Sequence, residues 1–144
     1  MIRPLGCLNL GMPLNVMGGD LQVCSMNPRT GWFRDGHCST DGNDDGVHTV
    51  CAVMTDEFLE FSASKGNDLS TPRPELRFVG LKAGDRWCLS ASRWAEALQE
   101  GMAPKVVLAA THARTLDWCD LSDLKKHAVD NPDGGSVKGN TETD

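Results

Sequence analysis

The sequence contains no long run of apolar residues. No stretch approaches the ~20 consecutive apolar side chains that a membrane-spanning helix requires. The first nineteen residues include several apolar side chains, but Gly, Pro and Asn interrupt them, so the compact hydrophobic segment of a secretory signal peptide is missing. These two absences predict a soluble, cytoplasmic protein without a membrane partner.

Positive charge is also scarce. Fourteen Lys and Arg stand against twenty Asp and Glu, which gives a formal net charge of −6. No stripe of lysine and arginine offsets this excess, and an acidic surface repels phosphate backbones. We therefore expect no nucleic-acid partner.

The length and composition predict one folded domain. A chain of 144 residues has the usual size of a single domain, and its hydrophobic fraction of 40% is typical of globular proteins. Beyond Val129 the sequence is rich in Gly, Asn and Asp and has almost nothing to bury. We predict a globular domain over residues 1–130 and a disordered tail over residues 131–144.

The hydrophobic pattern predicts an α+β fold. The run HTVCAVMT, from His48, is apolar on both faces and rich in β-branched residues, which favours a buried strand. Further strands are predicted over residues 86–91 and in the VVLAA run, and three helices are predicted to begin after the capping residues Thr55, Ser92 and Ser122. The first ~48 residues are crowded with turn signals and predict long loops with short strands near residues 21–25 and 32–34.

Six cysteines are present: Cys7, Cys24, Cys38, Cys51, Cys88 and Cys119. An even count indicates disulfides mainly in short secreted chains, and the missing signal peptide argues against that class. Buried reduced cysteine behaves as a small hydrophobic residue. We therefore expect mostly inert thiols in the core.

Two cysteines are candidates for a reactive nucleophile, which needs a nearby cation or helix N-terminus to lower its pKa. Cys88 shares a strand face with Arg86 and precedes a predicted helix, whereas Cys38 lies beside His37 in a polar loop. No motif joins either cysteine to a catalytic base, so packing is the alternative for both.

The metal-binding patterns are incomplete. Cys24, Cys38, His48 and Cys51 are the soft ligands nearest in sequence, but they lack the close pairs typical of zinc sites, and we predict no metal site. In the loop TDGNDDG, Asp41, Asn43, Asp45 and Gly46 match the start of a calcium loop. The twelfth position is Ala52 instead of the bidentate Glu, so a solvated acidic turn is the default and cation binding there stays open.

Polar residues in three loops form the leading site hypothesis. The segments RDGHC, GNDLSTP and GDRW place functional groups on loops or at a strand start, where binding residues often occur. The predicted ligand-binding residues are Asp35, Asn67, Asp68, Ser70, Thr71, Asp85 and Arg86, and of these Asp68 and Arg86 are also catalytic candidates. The alternative is that these side chains hydrogen-bond their own turns or pair with one another structurally.

Seven motifs, in order, carry a resemblance to a known family: NVMGG, CSMNPRTGWFRDG, HTVCAVMTDEFLEFS, GNDLSTPRPE, GLKAGDRWCL, RWAEAL and APKVVLAATH. Together they resemble domain of unknown function 2237, a family of small, uncharacterised, mainly bacterial proteins. The resemblance runs from about residue 15 to about residue 130 and implies no activity or cofactor. The family pattern often has a second cysteine where this chain has Ser90, so a role that needs both thiols is not carried over.

The function predicted from the sequence is binding of a small polar molecule by the three loops, with enzymatic activity left open. The first alternative is a thiol- or metal-centred protein, zinc or redox, that uses Cys38, Cys51 and Cys88. The second is a plain interaction domain. The sequence does not indicate a cofactor or an oligomeric state.

We predict that the tail is dispensable for folding. Deleting residues 131–144 should shift the melting temperature by less than about 2 °C, because ~1 kcal/mol corresponds to a few degrees at this size. The only sizeable apolar side chain in the tail is Val137. Thermal unfolding of the full and shortened chains measures the shift, and a larger drop would show that the tail packs on the domain.

Overall fold

The fold is α+β, as predicted. The computed structural model describes residues 13–41, 44, 47–76, 78 and 80–131. Within these residues one three-stranded antiparallel sheet has the order β2-β1-β3. Its strands are β1 (His48–Val53), β2 (Arg86–Ser90) and β3 (Lys105–Val106), and the α-helices are α1 (Asp56–Ser64), α2 (Ala91–Gln99) and α3 (Leu121–Lys126).

Strand β1 is the centre of the sheet and is buried over its four inner residues. Its two faces are both apolar, which is the pattern expected of a strand covered on both sides. Antiparallel pairing places Cys51 opposite Cys88, and Ala52 opposite Trp87 on one side and Val106 on the other. The register therefore brings a cysteine from β1 next to a cysteine from β2.

Helix α1 begins where the sequence predicts. The Thr55 hydroxyl accepts a hydrogen bond from the Phe58 N–H at 3.0 Å, and Asp56 and Glu57 lie in the first turn. This is the arrangement that stabilises a helix N-terminus. Phe58 and Leu59 are buried and belong to the larger hydrophobic cluster described below.

The predicted start of α2 is wrong by a short distance. The helix begins at Ala91, directly after β2, with Ser90 as its N-cap residue, so Ser92 lies inside the first turn. The Ser92 hydroxyl oxygen is 3.0 Å from that of Ser90. Ser122 is likewise inside α3, whose N-cap residue is Asp120.

The predicted VVLAA strand is confirmed only at its start, where Lys105 and Val106 pair with β1 and the Val107 N–H donates to the Cys51 carbonyl. The chain then turns into a short 3₁₀ helix, Leu108–Ala110. The Asp130 carboxylate accepts hydrogen bonds from the Leu108 and Ala109 N–H groups at 2.7 and 3.0 Å. Those donors are satisfied by a side chain, so no neighbouring strand is needed.

The predicted strands near residues 21–25 and 32–34 are absent from the described residues. This region is loop with isolated bridges, and hydrogen bonds to the rest of the fold hold it in place. The buried Thr30 hydroxyl accepts a hydrogen bond from the Cys88 N–H at 2.8 Å, and the Gln22 N–H donates to the Ala109 carbonyl at 2.9 Å. The segment of residues 24–38, called the arginine loop below, therefore lies along the outer edge of β2.

Two clusters of buried apolar residues lie in the described part of the chain. The larger is the main core, which contains Trp94 and Phe58 and packs between the sheet and the helices. The smaller contains four cysteines with Val107 and Ala110. Residues 132–144 lie outside the described residues, so the disorder of the tail stays a prediction.

Among the described helices, none combines the length and the apolar character that crossing a membrane would require.

The four tryptophans differ in burial. Trp94 is fully buried and Trp87 nearly so, whereas Trp32 and Trp118 are 40% and 51% exposed. The Trp94 indole N–H also donates to the Pro104 carbonyl at 3.1 Å.

Replacing Trp94 by alanine should therefore lower the free energy of unfolding by roughly 3–5 kcal/mol, the usual cost of removing a large buried side chain. Trp118→Ala is the matched control and should cost less than about 1 kcal/mol, because surface substitutions have small effects. Urea denaturation of both variants measures the difference. Equal losses would contradict this placement of the core.

Candidate functional site

Two adjacent cavities lie between the arginine loop and β2. The larger has a volume of about 570 Å³, within the range of small-molecule sites, and is lined by Met26, Asn27, Pro28, Arg29, Phe33, Arg34 and Trp87. The smaller has a volume of about 160 Å³ and is lined by Gly31, Trp32, Arg34, His48, Trp87 and Cys88. Arg34 and Trp87 are walls of both.

Two glycines allow the arginine loop to fold back on itself. Gly31 and Gly36 both have positive φ angles, of 105° and 88°. A Cβ at Gly31 would collide with the His37 carbonyl oxygen, and one at Gly36 would collide with the Met26 sulfur. The Gly36 carbonyl accepts from the Cys24 N–H at 2.7 Å, so the loop closes on itself.

Arg34 is held rigidly at the centre of the two cavities. Its Nη1 donates to the Gly31 carbonyl at 2.7 Å, and its guanidinium carbon lies 5.2 Å from the centre of the Trp87 ring. This distance is within the range of a cation–π interaction. The Arg34 Nε is buried and has no hydrogen-bond acceptor among the described atoms. An unsatisfied buried donor on a charged group is uncommon and indicates a place where an acceptor is expected.

Beside the smaller cavity, His48 is joined to Asp44 by two hydrogen bonds. The His48 Nδ1 lies 2.6 Å from Asp44 Oδ1, and the His48 backbone N–H donates to Asp44 Oδ2 at 2.9 Å. Burial alone would raise the pKa of Asp44, but hydrogen bonds from His48 and Thr40 outweigh it and hold the pKa below its usual value of 3.8. The His48 ring stacks on Trp32 with ring centres 6.0 Å apart.

The cysteines differ from the expectation of inert reduced thiols. Two disulfides join Cys24 to Cys51 and Cys38 to Cys88, across sequence separations of 27 and 50 residues. The sulfurs of Cys24, Cys38 and Cys88 all lie within 4.8 Å of one another. We call Cys24, Cys38, Cys51 and Cys88 the cysteine cluster. The expectation was wrong because the β1–β2 register brings Cys51 and Cys88 together, and the spacing of the cysteines in the sequence does not indicate that register.

The cysteine cluster differs in one member from the four soft metal ligands considered from the sequence. Cys24, Cys38 and Cys51 do converge, but the fourth member is Cys88, and His48 is paired with Asp44 instead. The two nucleophile candidates, Cys38 and Cys88, are bonded to each other. A catalytic role for either stays a prediction.

Cys119 lies apart from the cluster and is a free buried thiol. Burial, followed by the charges of Asp123 and Asp120, raises its pKa to about 11. Because the thiolate is the reactive form, Cys119 is unreactive near neutral pH. Cys7 lies outside the described residues.

The ligand-binding residues predicted from the sequence lie in three separate turns. Asp35 accepts a hydrogen bond from the His37 N–H at 3.0 Å, and Asp85 accepts from the Lys82 N–H at 3.0 Å. Arg86 is exposed at the start of β2. In the described part of the chain, the lining of the two cavities includes none of Asp35, Asn67, Asp68, Ser70, Thr71, Asp85 and Arg86.

The Asp68 carboxylate stabilises the turn in which it lies. It accepts hydrogen bonds from the Thr71 hydroxyl at 2.6 Å and from the Ser70 N–H at 2.9 Å. The Thr71 hydroxyl first, and then the Ser70 N–H, lower the pKa of Asp68 below its usual value. These contacts match the structural alternative, and a binding role for this turn stays a prediction.

The acidic TDGNDDG loop is only partly described. Asn43, Asp45 and Gly46 lie outside the described residues. The expected solvated turn is wrong at Asp44, which is buried and accepts hydrogen bonds from the Thr40 hydroxyl and the His48 N–H. Cation binding by this loop stays open.

The residues that sequence reasoning missed are Arg29, Phe33, Arg34 and Trp87. In the RDG segment the sequence pointed to Asp35, but the residue that lines both cavities is Arg34, directly before Asp35. Arg34 adopts a positive φ of 57°, which no sequence pattern indicates for arginine. The available signal was the pair of glycines at positions 31 and 36, which enclose two aromatic residues and an arginine.

A comparison with protein families matches residues 14–128 to a family described as an uncharacterized protein conserved in bacteria (DUF2237). The chain belongs to this family. The match confirms the resemblance carried by the seven motifs, and it spans both cavities and the cysteine cluster. Among curated proteins, none matches this chain. The family description names no activity.

The Asp44–His48 pair predicts an acid-dependent stability. A carboxylate whose pKa is lower in the folded protein than in the unfolded chain stabilises the fold. This stabilisation is fully present above the unfolded pKa, about 3.9, and it is lost as the pH falls through the pKa of the folded protein. Asp44→Asn should be less stable than the parent at pH 7 by roughly 1–2 kcal/mol, since hydrogen bonds to a charged acceptor are stronger than those to a neutral one.

This deficit should shrink when urea denaturation is repeated at an acidic pH below the lowered pKa of Asp44, where the parent carboxylate is protonated. Asp117→Asn is the control, because Asp117 is exposed in an ion pair with Arg114 and should show little effect at either pH. A deficit of equal size at both pH values would contradict the assignment.

Proposed function

We propose that the protein binds a small organic anion in the larger cavity, with the Arg34 guanidinium as its principal anchor. The observation that supports this most is that Arg34 is a wall of both cavities while its buried Nε has no acceptor among the described atoms. A carboxylate or phosphate oxygen is the acceptor that arginine prefers, because the planar guanidinium matches two such oxygens at once.

The charge around the cavity supports an anionic ligand. Arg29 and Arg34 line the larger cavity and His48 lines the smaller, whereas the described lining residues include no aspartate or glutamate. The chain as a whole has a net charge of −6. A cationic cavity on an acidic protein attracts anions locally while the remaining surface repels them.

The rigidity of Arg34 favours binding. The bond to the Gly31 carbonyl and the stacking on Trp87 fix the side chain before a ligand arrives. A group that is already ordered loses little conformational freedom on binding, so more of the interaction free energy contributes to affinity.

The cavity walls also indicate an apolar or aromatic part in the ligand. Met26 and Phe33 are about half exposed, at 49% and 50%, and both line the larger cavity beside Trp87. Small-molecule sites commonly combine such apolar walls with a few polar groups that set orientation. An aromatic carboxylate or an aryl phosphate fits this combination.

The proposal keeps two of the three predicted loops. RDG contributes through Arg34, and GDRW contributes through Trp87. GNDLSTP contributes no residue to the lining of either cavity, so the proposed ligand contacts the RDG and GDRW segments only. The proposal concerns binding and assigns no reaction.

The test uses benzoate and phenyl phosphate as probes, with the neutral compounds benzamide and benzyl alcohol beside them. The anions should raise the melting temperature and bind measurably by calorimetry, and the neutral compounds should not. Arg34→Gln should weaken anion binding by about 10–100-fold, since a hydrogen bond to a charged group contributes roughly 1.5–3 kcal/mol.

The matched control is Arg86→Gln, because Arg86 is exposed on β2 two residues before Cys88 and lines neither described cavity. Its anion affinity should equal that of the parent. Loss of binding in Arg86→Gln with retention in Arg34→Gln would refute the cavity and favour the site predicted from the sequence. Equal binding of anions and neutral compounds would refute the role of charge.

A further inference from the structure

The cysteine cluster provides a second site that is separate from the anion cavity. We infer that Cys24, Cys38, Cys51 and Cys88, once reduced, together hold one thiophilic divalent cation of the zinc class in a four-sulfur centre. This develops the thiol- or metal-centred alternative, with Cys24 added to the three cysteines predicted from the sequence. It does not depend on the anion-binding proposal.

The sulfur positions are close to what such a centre needs. Zinc bound by four thiolates at about 2.3 Å is tetrahedral, which places neighbouring sulfurs roughly 3.8 Å apart. The sulfurs of Cys24, Cys38 and Cys88 are already within 4.8 Å of one another, and Cys51 is bonded to Cys24. For a four-sulfur centre each bonded pair has to separate, and the two pairs have to approach.

The backbone around the cluster is fixed independently of the sulfur bonds. The Cys24 N–H donates to the Gly36 carbonyl at 2.7 Å, the Cys51 N–H to the Thr111 hydroxyl at 3.1 Å, and the Cys88 N–H to the Thr30 hydroxyl at 2.8 Å. None of these three bonds involves a sulfur atom. Ligands held by such surrounding contacts are pre-positioned for a metal.

The surroundings suit a closed site next to the smaller cavity. All four cysteines are at most 3% exposed, and Val53, Val107 and Ala110 pack against them. Cys88 alone among them lines the smaller cavity, which it shares with Arg34. A zinc centre with four thiolates carries a net charge of −2, and a neighbouring guanidinium reduces the cost of burying that charge.

The chemistry balances in two steps. A dithiol reductant supplies two electrons and two protons to each disulfide, giving two cysteine thiols and the oxidised, disulfide form of the reductant. The cation then displaces four protons from the four thiols and forms four metal–sulfur bonds. In the reverse direction, two equivalents of the oxidised, disulfide form of the reductant accept four electrons from the four thiolates and four protons from water. This returns the reductant to its dithiol form, releases the cation and restores the two protein disulfides.

The fold does not require the disulfides as staples. The main core around Trp94 and Phe58 is separate from the cluster, and a domain of this size buries enough surface to fold without cross-links. In a reducing compartment, which is what the sequence predicts for this chain, four buried converging thiols bind a soft metal more readily than they form disulfides.

The experiment uses the full chain with Cys7→Ser and Cys119→Ser, which remove the two cysteines outside the cluster. The protein is reduced without oxygen by a phosphine, which does not compete as a thiol, and is titrated with Co²⁺ and then Zn²⁺. We expect one metal per chain by native mass spectrometry. The cobalt form should show thiolate-to-metal charge transfer and the intense visible bands of tetrahedral coordination, and Zn²⁺ should abolish both.

Single changes of Cys24, Cys38, Cys51 or Cys88 to serine should each weaken binding by at least about 100-fold, more than the loss of a contact outside the coordination shell. The oxidised parent should bind no metal. The inference is overturned if the reduced parent binds no metal, or if its cobalt form lacks the thiolate bands. Because these readouts use the intact cluster, they decide the question even if a serine variant fails to fold.

Discussion

The hydrogen bond from the Cys88 N–H to the Thr30 hydroxyl fixes the part of the molecule that carries its chemistry. Strand β2 is the outer strand of a small sheet, and its outward N–H groups would otherwise be unpaired. Thr30 is fully buried and satisfies one of them, so the arginine loop is tied along the sheet edge. Arg34 is thereby held over Trp87, and Cys38 is brought to Cys88. Removing that hydroxyl would leave a buried donor unsatisfied, which costs about 1–3 kcal/mol.

Local signals in the sequence predicted the parts of the fold that depend on local interactions. The β-branched run of β1 and the Thr55 cap of α1 were both found, because strand burial and helix capping leave patterns within a few residues. The VVLAA run continues as a strand only to Val106, and Asp130, about twenty residues away, satisfies the Leu108 and Ala109 donors beyond it. A contact at that distance leaves no mark in the run itself.

The candidate site was predicted less well, for the same reason. RDG and GDRW were selected as functional loops, but the reasoning favoured their carboxylates, which bond their own turns. Arg34 is important because of its contact with Trp87, 53 residues away in the chain. The cysteines gave no motif because their grouping follows from the pairing of β1 with β2. Membership of the bacterial family was recoverable from the motifs, whereas the geometry was not.

The position of Cys88 has a thermodynamic consequence. Strand β2 places Trp87 and Cys88 next to each other, and both are walls of the smaller cavity. A change in what the Cys88 sulfur is bonded to therefore alters the free energy of whatever occupies that cavity. Linkage makes such an effect reciprocal: an occupant of the cavity shifts the equilibrium at the sulfur by the same amount. One residue on an edge strand thus joins two equilibria that would otherwise be independent.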